Sequence, residues 1–364
     1  MNNRLNRLME VLHENELNGY FINSKENVFY FTNLYAEAHE RLIALYVDTN
    51  GNAALIVPAL EKEDAKNAGW DQDIIAYFDD EDPFEKLNQW LTGKNLLPTS
   101  IAIEETSLNV ARSAKLKEIL PNVNLVNGEN HLNQLRVIKS KVEIEILKEA
   151  AAFADFGIET AVKHISPGKT ELEIIAEVEY ALKQKGIRNM SFSTLVLTGE
   201  KTASPHGNPS LTEIKHGDFV LMDLGVVHKG YCSDITRTVA VGEVSTHQKE
   251  VYETVLEAEN TALKQCEIGM PLGDIDRTAR DIITDAGYGE YFTHRIGHGL
   301  GINVHEFPSM AANNTDQLKA GMTFTIEPGI YMPGVGGVRI EDDVLMTEDG
   351  AIPLTKYPKE LQII

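Results

Sequence analysis

The first 125 residues combine helical and strand-like spacing of apolar positions. Apolar residues at helical spacing run from Leu5 to Leu12, which predicts an amphipathic helix. Two strand-like runs, 42–47 and 53–57, flank Asn50-Gly51, a dipeptide that favours a tight hairpin turn because both residues tolerate positive φ. These patterns predict a smaller α/β domain over residues 1–128.

From Ser140 onward the apolar pattern lengthens into long helices. Ser140 with Glu143, and Thr170 with Glu173, have the spacing of capping boxes, which satisfy free backbone donors at a helix start. The same layout returns about one hundred residues later, with a helix predicted over about 249–265. We therefore expect a second, larger domain over residues 129–364.

Two strand-like segments of this second domain resemble each other closely. In each, a carboxylate lies six residues after one glycine and two residues before the next. The residues are Gly217, Asp223 and Gly225 in the first segment and Gly321, Glu327 and Gly329 in the second. Such self-similarity predicts two halves related by an approximate twofold, with a site where they meet. Chance alignment of short segments is the alternative.

Length and composition narrow the class of protein. A chain of 364 residues exceeds the usual size of one hydrophobic core, so two domains are expected. The formal charge of -22 argues against nucleic acid or an anionic membrane as partner. No apolar run reaches membrane-spanning length, and Cys232 and Cys266 are too few for a disulfide framework. We expect a cytoplasmic protein in which both cysteines are ordinary buried thiols.

Carboxylates in apolar strands are the first indication of chemistry. Asp223 follows Phe219, Val220, Leu221 and Met222, and burying such a group is costly without a cation or hydrogen bonds. Asp234, Glu327 and Glu341 are predicted to lie near it at strand ends, where like charges would raise one another's pKa. Two divalent metals would remove that repulsion. His298, among glycines at 297, 299 and 301, is the candidate imidazole ligand.

Each of these residues also has an ordinary structural interpretation when it is considered singly. An aspartate in a strand is usually a hydrogen-bonded edge residue, and a histidine among glycines can simply cap a turn. The order Asp, Asp, His, Glu, Glu is what favours a metal site. Carboxylates with one imidazole suit manganese, iron, cobalt or zinc and do not suit copper.

Five motifs in this order resemble the "pita-bread" metallopeptidases, in particular the Xaa-Pro dipeptidase and Xaa-Pro aminopeptidase branch. The motifs begin at Met222, Ser233, Gly297, Ile326 and Arg339, with the sequences MDLG, SDITRT, GHGLG, IEPG and RIEDD. The resemblance covers essentially the whole chain. It implies an α+β fold, in which a pita-bread catalytic domain with an internal pseudo-twofold repeat follows a creatinase-like N-terminal α/β domain.

The resemblance also implies a dinuclear mechanism. Asp223, Asp234, His298, Glu327 and Glu341 would bind two divalent ions, manganese first, with cobalt, zinc or iron as alternatives. A hydroxide bridging the ions would attack the peptide carbonyl. His206 resembles the histidine near the scissile amide, and His305 the one that stabilises the tetrahedral intermediate. Glu327 would also shuttle a proton.

Further positions carry weaker expectations from the same resemblance. His294 and Arg339 would engage the active site or the substrate carboxylate, with second-layer hydrogen bonding as the alternative. His39, Glu40 and Arg41 resemble a loop of bacterial prolidases that approaches the active site of the partner subunit in a homodimer. Here Glu37-Ala38 precede them instead of Asp-Pro, so a simple surface loop is the alternative.

The reaction predicted from these residues is hydrolysis of the bond before proline in Xaa-Pro dipeptides. Xaa-Pro aminopeptidase activity on longer peptides is the alternative within the class. A creatinase-like carbon-nitrogen hydrolase shares the fold without metals, but five retained ligands would then have no purpose. A non-catalytic binding protein would be expected to lose ligands or histidines, and this sequence keeps both.

Overall fold

A computed structural model describes residues 3–364, which divide into two compact units, one ending at Arg136 and one covering Val137–Ile364. The division falls after the boundary predicted at 128/129, because the helix that follows residue 128 packs with the first unit. Tyr30 donates a hydrogen bond to the Leu135 carbonyl at 2.8 Å, and Arg136 donates to Asn27 at 2.9 Å.

The first unit is built on one six-stranded mixed sheet with strand order β4-β3-β2-β1-β5-β6. Its helices are α1 (Asn3–Glu14), α2 (Lys25–Thr32), α3 (Lys62–Asn67), α4 (Pro83–Gly93), α5 (Val110–Ile119) and α6 (Glu129–Val137). Its strands are β1 (Gly19–Ile22), β2 (Ala44–Asp48), β3 (Ala53–Pro58), β4 (Asp73–Tyr77), β5 (Ser100–Ile103) and β6 (Asn124–Asn127). The predicted hairpin is the β2–β3 pair, and Gly51 in its turn has φ 83°.

The second unit contains two pairs of helices and thirteen short strands within the described residues. The helices are α7 (Lys141–His164), α8 (Glu171–Gln184), α9 (Thr246–Gln265) and α10 (Leu272–Asp285). The strands of the first half are β7 (Asn189–Met190), β8 (Leu195–Thr198), β9 (Phe219–Leu224), β10 (Val226–His228), β11 (Tyr231–Cys232) and β12 (Ile235–Ala240). Those of the second half are β13 (His298–Gly299), β14 (Glu306–Ser309), β15 (Thr323–Ile326), β16 (Gly329–Met332), β17 (Gly336–Arg339), β18 (Asp342–Thr347) and β19 (Gly350–Pro353).

Capping residues fix where these helices begin. The side chain of Ser140 accepts from the Glu143 amide and that of Thr170 from the Glu173 amide, and both capping boxes are complete. Helix α9 begins at Thr246, three residues before the predicted start. Ser245 forms a capping box with Gln248, and glutamine at this position performs the same role as glutamate.

The internal repeat is confirmed by the topology of the second unit. Each half supplies a long helix, a helix of 14 residues and a core of three antiparallel strands. The order β12-β9-β8 in one sheet corresponds to β18-β15-β13 in the other. Strands β9 and β15, which occupy corresponding central places, are the two segments whose glycine and carboxylate spacing matched.

Each pair of helices covers one face of its own sheet. Val220, Met222 and Leu224 of β9 are buried in a core with α7 and α8, whereas Phe324 and Ile326 of β15 are buried with α9 and α10. Because side chains alternate along a strand, the residues between them point to the opposite face. That face carries the carboxylates.

Candidate metal centre

The first pair of carboxylates comes from the antiparallel pairing of β9 with β12. Asp223 lies in β9 opposite Thr236, and Asp234 directly precedes β12. Asp223 is part-buried, while Asp234 is only 4% exposed. The chain therefore returns Asp234 to the neighbourhood of Asp223.

The second pair comes from the ends of β15 and β17. Glu327 follows β15, where its amide donates to the Ile296 carbonyl at 2.8 Å, and Glu341 lies between β17 and β18. Thr236 holds Glu341 twice, because its carbonyl accepts from the Glu341 amide at 3.1 Å and its hydroxyl donates to Glu341 Oε2 at 2.6 Å. Thr236 thus joins the two halves at the site.

His298 is held in the tautomer that a metal ligand requires. Its Nδ1 lies 3.2 Å from the Gly299 carbonyl, an acceptor, so Nδ1 carries the proton and Nε2 keeps its lone pair. Nε2 lies 3.4 Å from Glu327 Oε1 and 3.7 Å from Asp234 Oδ2. Burial, followed by the charge of His305, lowers the pKa of His298 to about 3. The ring is therefore neutral at physiological pH.

Glycine before His298 permits this close packing. A Cβ at position 297 would lie 2.0 Å from the Thr325 carbonyl oxygen. The Thr325 hydroxyl lies 3.2 Å from the His298 amide and 3.3 Å from Glu327 Oε1. The sequence GHG therefore brings the imidazole against the strand that ends in Glu327.

Burial, together with repulsion between the carboxylates, raises the carboxylate pKa values at the site. Burial, followed by the charge of Glu341, raises the pKa of Asp234 well above its usual value. Burial, followed by the charge of Glu327, does the same to the pKa of Glu341. Burial raises the pKa of Glu327 to about 7, against the opposing effect of Arg339. Nearby positive charge would restore the ionised forms.

These residues fit divalent metal ions. Asp234, His298 and Glu341 offer ligand atoms that all lie within 4.8 Å of one another. Asp223 Oδ1 and Asp234 Oδ1 are buried without a hydrogen-bond partner, as expected of oxygens that await a cation. Oxygen donors with one imidazole form a hard ligand set, and the buried Cys232 and Cys266 lie outside it.

The carboxylates open into a cavity of about 480 Å³. All five predicted ligands line it, together with His206, His294 and His305. His206 and His305 are exposed to solvent, and the ring centroids of His298 and His305 are 4.0 Å apart. Burial lowers the pKa of His305 from its ordinary value. Every predicted site residue of the second unit therefore lines one cavity.

Arg339 and His294 meet through Tyr331, a residue that sequence reasoning missed. The Tyr331 oxygen lies 2.9 Å from Arg339 Nη1 and 2.9 Å from His294 Nε2. Arg339 also pairs with Asp223 through Nη2 and donates to Thr236 through Nε at 3.0 Å. Each of its three side-chain nitrogens thus has a partner within the protein. The predicted role of Arg339 toward the substrate stays a prediction. Tyr331 lies in the strand sequence Gly-Ile-Tyr-Met of β16, and this sequence by itself does not indicate a contact with Arg339 or His294.

Arg295 lines the cavity and was also missed by sequence reasoning. It is exposed, lines the cavity and donates from Nη1 to the Ser309 hydroxyl at 3.0 Å. Its charge lowers the pKa of His305, after the larger effect of burial. Its position directly after His294 was the available signal.

His39 and Arg41 belong to the first unit, in the segment between α2 and β2. His39 is exposed with φ 51°, and Arg41 pairs with Asp79 and Glu40. They line a separate cavity of about 280 Å³ with Lys25. Their predicted role toward a partner subunit stays a prediction.

Both units match known protein families. Residues 145–348 match the model of metallopeptidase family M24, and residues 4–138 match the creatinase/prolidase N-terminal domain. A Bacillus subtilis protein with the provisional name dipeptidase YkvY is 49% identical over 362 residues, covering 100% of both chains.

Solved structures agree over the whole chain. An Xaa-Pro dipeptidase from Bacillus anthracis has a TM-score of 0.93 at 35% identity and covers 99% of each chain. An X-Pro aminopeptidase from Thermotoga maritima has a TM-score of 0.89 at 30% identity and covers 100% of each chain. Fold and site together therefore define a two-domain pita-bread metallohydrolase. The chain belongs to metallopeptidase family M24.

Proposed function

We propose that this protein hydrolyses the peptide bond before proline in Xaa-Pro dipeptides. The observation that carries the proposal is the convergence of Asp223, Asp234, His298, Glu327 and Glu341 around one cavity. A creatinase-like reaction without metals would leave Arg339, which pairs with Asp223, to balance all of these mutually repelling carboxylates. Solved relatives with the same fold are an Xaa-Pro dipeptidase and an X-Pro aminopeptidase.

The five ligands would hold two divalent ions, which supply carbonyl polarisation and a water acidic enough to act as nucleophile near neutral pH. Glu327, which lines the cavity, is proposed to carry the proton from the nucleophile to the leaving amine. His305, whose ring is packed against His298, is proposed to donate to the developing oxyanion. His206, which also lines the cavity, is proposed to orient the scissile amide.

Arg295 supports a dipeptide substrate over a longer peptide. A dipeptidase must recognise a free carboxylate directly after the proline, and arginine is suited to that task because its planar fork matches a carboxylate. Arg339 is buried and occupied by Asp223 and Tyr331. Arg295 is exposed on the cavity wall, with a neutral hydroxyl as its partner there.

The test is to compare Ala-Pro with Ala-Pro-Ala as substrates of the manganese-loaded protein. Turnover of Ala-Pro well above that of Ala-Pro-Ala is expected, and the reverse would identify an aminopeptidase. Asp234→Ala should reduce hydrolysis at least about 1000-fold, as loss of an essential group does. The exposed Asp349→Ala serves as control. Activity that persists after chelation, with no metal in the purified protein, would contradict the proposal.

Finer features belong to the same proposal. Manganese is the proposed ion, with cobalt, zinc or iron as alternatives, and metal analysis of protein purified from its source will decide. We also propose a cytoplasmic homodimer in which the loop of His39 and Arg41 reaches the partner's active site. No helix within residues 3–364 is long and apolar enough to cross a membrane. Cell fractionation tests the cytoplasmic location. Sedimentation of a His39→Ala variant tests the homodimer.

A further inference from the structure

Four charged residues form a buried chain of ion pairs outside the cavity. Arg237 Nη2 lies 2.7 Å from Asp342 Oδ1, Asp342 Oδ2 lies 3.0 Å from Lys359 Nζ, and Lys359 Nζ lies 2.7 Å from Glu259 Oε2. Arg237, Asp342 and Glu259 are at most 2% exposed. None of the four lines the cavity, so a direct role in substrate binding is excluded. We call these four residues the rear network.

The rear network is connected to a proposed metal ligand through the backbone. Asp342 directly follows Glu341, and Arg237 Nη1 donates to the Glu341 carbonyl at 2.5 Å and to the Thr236 carbonyl at 2.9 Å. Thr236 in turn holds the Glu341 carboxylate through its hydroxyl. One guanidinium that does not line the cavity thus fixes the peptide that carries Glu341.

The chain segment 355–364 completes the network. Arg237 Nε donates to the carbonyls of Tyr357 at 3.0 Å and Pro358 at 3.1 Å. The segment itself is anchored at both ends. Asp155 accepts from the Lys356 amide at 2.9 Å, and Ala240 at the end of β12 exchanges backbone hydrogen bonds with Gln362 and Ile364. Lys359 is therefore delivered to Asp342 by a segment that makes no contribution to the cavity wall.

We propose that the rear network, with segment 355–364, is a positioning device that sets the affinity of the metal centre by holding the peptide of Glu341. Ligands that repel one another must be held in place before the ion arrives, and outer groups that orient ligands strengthen metal binding. Two cations and two anions alternate along the network, so that each charge has a partner. Removal of one cation leaves Asp342 less firmly held next to Glu341.

The experiment measures manganese binding by calorimetry to the metal-free full chain, without substrate. Lys359→Met should weaken binding about 10- to 100-fold, the usual effect of losing an outer group at a metal site. The matched control is Lys356→Met, because Lys356 is exposed on the same segment and its amide, not its side chain, is the anchor. The control should bind as the parent does, and Lys359→Arg should retain most of the affinity.

A second variant separates positioning from a loss of stability. Lys359→Met leaves Glu259 buried without its cation, which destabilises a protein. The double variant Lys359→Met/Glu259→Leu removes both charges and should recover thermal stability. Its manganese affinity should stay low, since Asp342 keeps Arg237 and still lacks Lys359. Recovery of both properties, or unchanged affinity in both variants, would overturn the inference.

This inference rests on the ligand role of Glu341 in the proposed function, and the outcomes separate the two. A parent protein that fails to bind manganese, cobalt or zinc overturns both. A parent that binds manganese and cleaves no Xaa-Pro peptide overturns only the proposed reaction. A parent that binds manganese, beside Lys359 variants of equal affinity, overturns only the positioning role.

Discussion

Asp343 accepts a hydrogen bond from the backbone amide of Asp234 at 3.0 Å, although 109 residues separate them in the chain. Asp343 is 1% exposed, and burial raises its pKa well above the usual value. The contact joins the second half of the internal repeat to the first at a proposed ligand. A carboxylate that is costly to bury is thus placed where it fixes the backbone of Asp234.

We therefore expect Asp343→Ala to weaken manganese binding by about 10-fold or more, because Asp234 loses the group that fixes its peptide. Asp343→Asn keeps an acceptor of the same shape, so its loss of manganese affinity should be smaller. Calorimetric titration of metal-free protein measures both. Equal affinity of Asp343→Ala and parent would show that the hydrogen bond is irrelevant to metal binding.

The stability of the metal-free protein should rise as pH falls from about 8 to about 6.5. The folded pKa of Glu327 is about 7, above its ordinary 4.5, so the folded state binds more protons than the unfolded state and stability is lost as pH rises. Over this range Glu327 alone contributes about 1 kcal/mol, and Asp234 and Glu341 shift the same way.

His298 and His294 oppose this trend below about pH 6.5. Burial lowers the pKa of His298 to about 3 and that of His294 to about 4, so for these two groups unfolding takes up protons and their contribution to stability falls. Calorimetry with chelator should therefore show a smaller gain of stability per pH unit below about pH 6.5 than above it. Bound manganese should flatten the dependence above about pH 6.5, because the cation replaces the protons. A metal-free protein that gains stability from pH 6.5 to 8 would contradict the raised carboxylate pKa values.

His206 and His305 should affect turnover and leave the metals in place. Neither belongs to the cluster of close ligand atoms formed by Asp234, His298 and Glu341. His305→Asn should reduce kcat about 100- to 1000-fold, as loss of an oxyanion donor does, with manganese content unchanged. The exposed His13→Asn is the control. If His305→Asn lost manganese together with activity, His305 would be assigned to the metal ligands.

Arg295 should determine recognition of the substrate carboxylate. Arg295→Gln is expected to raise KM for Ala-Pro about 10- to 100-fold, the range of a charge-assisted hydrogen bond worth about 1.5–3 kcal/mol. The effect on Ala-Pro-amide, which lacks the carboxylate, should be small. Arg188→Gln, at an exposed residue that does not line the cavity, is the control. A variant that loses both substrates equally would place Arg295 in a structural role.

Much of the fold followed from local patterns. Capping boxes at Ser140 and Thr170 fix helix starts by hydrogen bonds within four residues. The turn at Asn50-Gly51 depends on the positive φ of Gly51 and on the Asp48 carboxylate, which accepts from the Asn50 amide. The missed start of α9 has the same local origin at Ser245. The family was predicted through five motifs and is confirmed by the comparisons. The assignment of individual site residues stays a proposal.

The sequence by itself determined the class of ligand and the repeat, because glycine spacing and buried carboxylates are written in short segments such as 217–225 and 321–329. Only the tertiary structure decided which groups stand behind those ligands. Tyr331 meets His294 across 37 residues, and Arg237 meets Glu341 across 104. Such partners are chosen by the packing of segments that are distant in the chain, and a single segment carries no record of them.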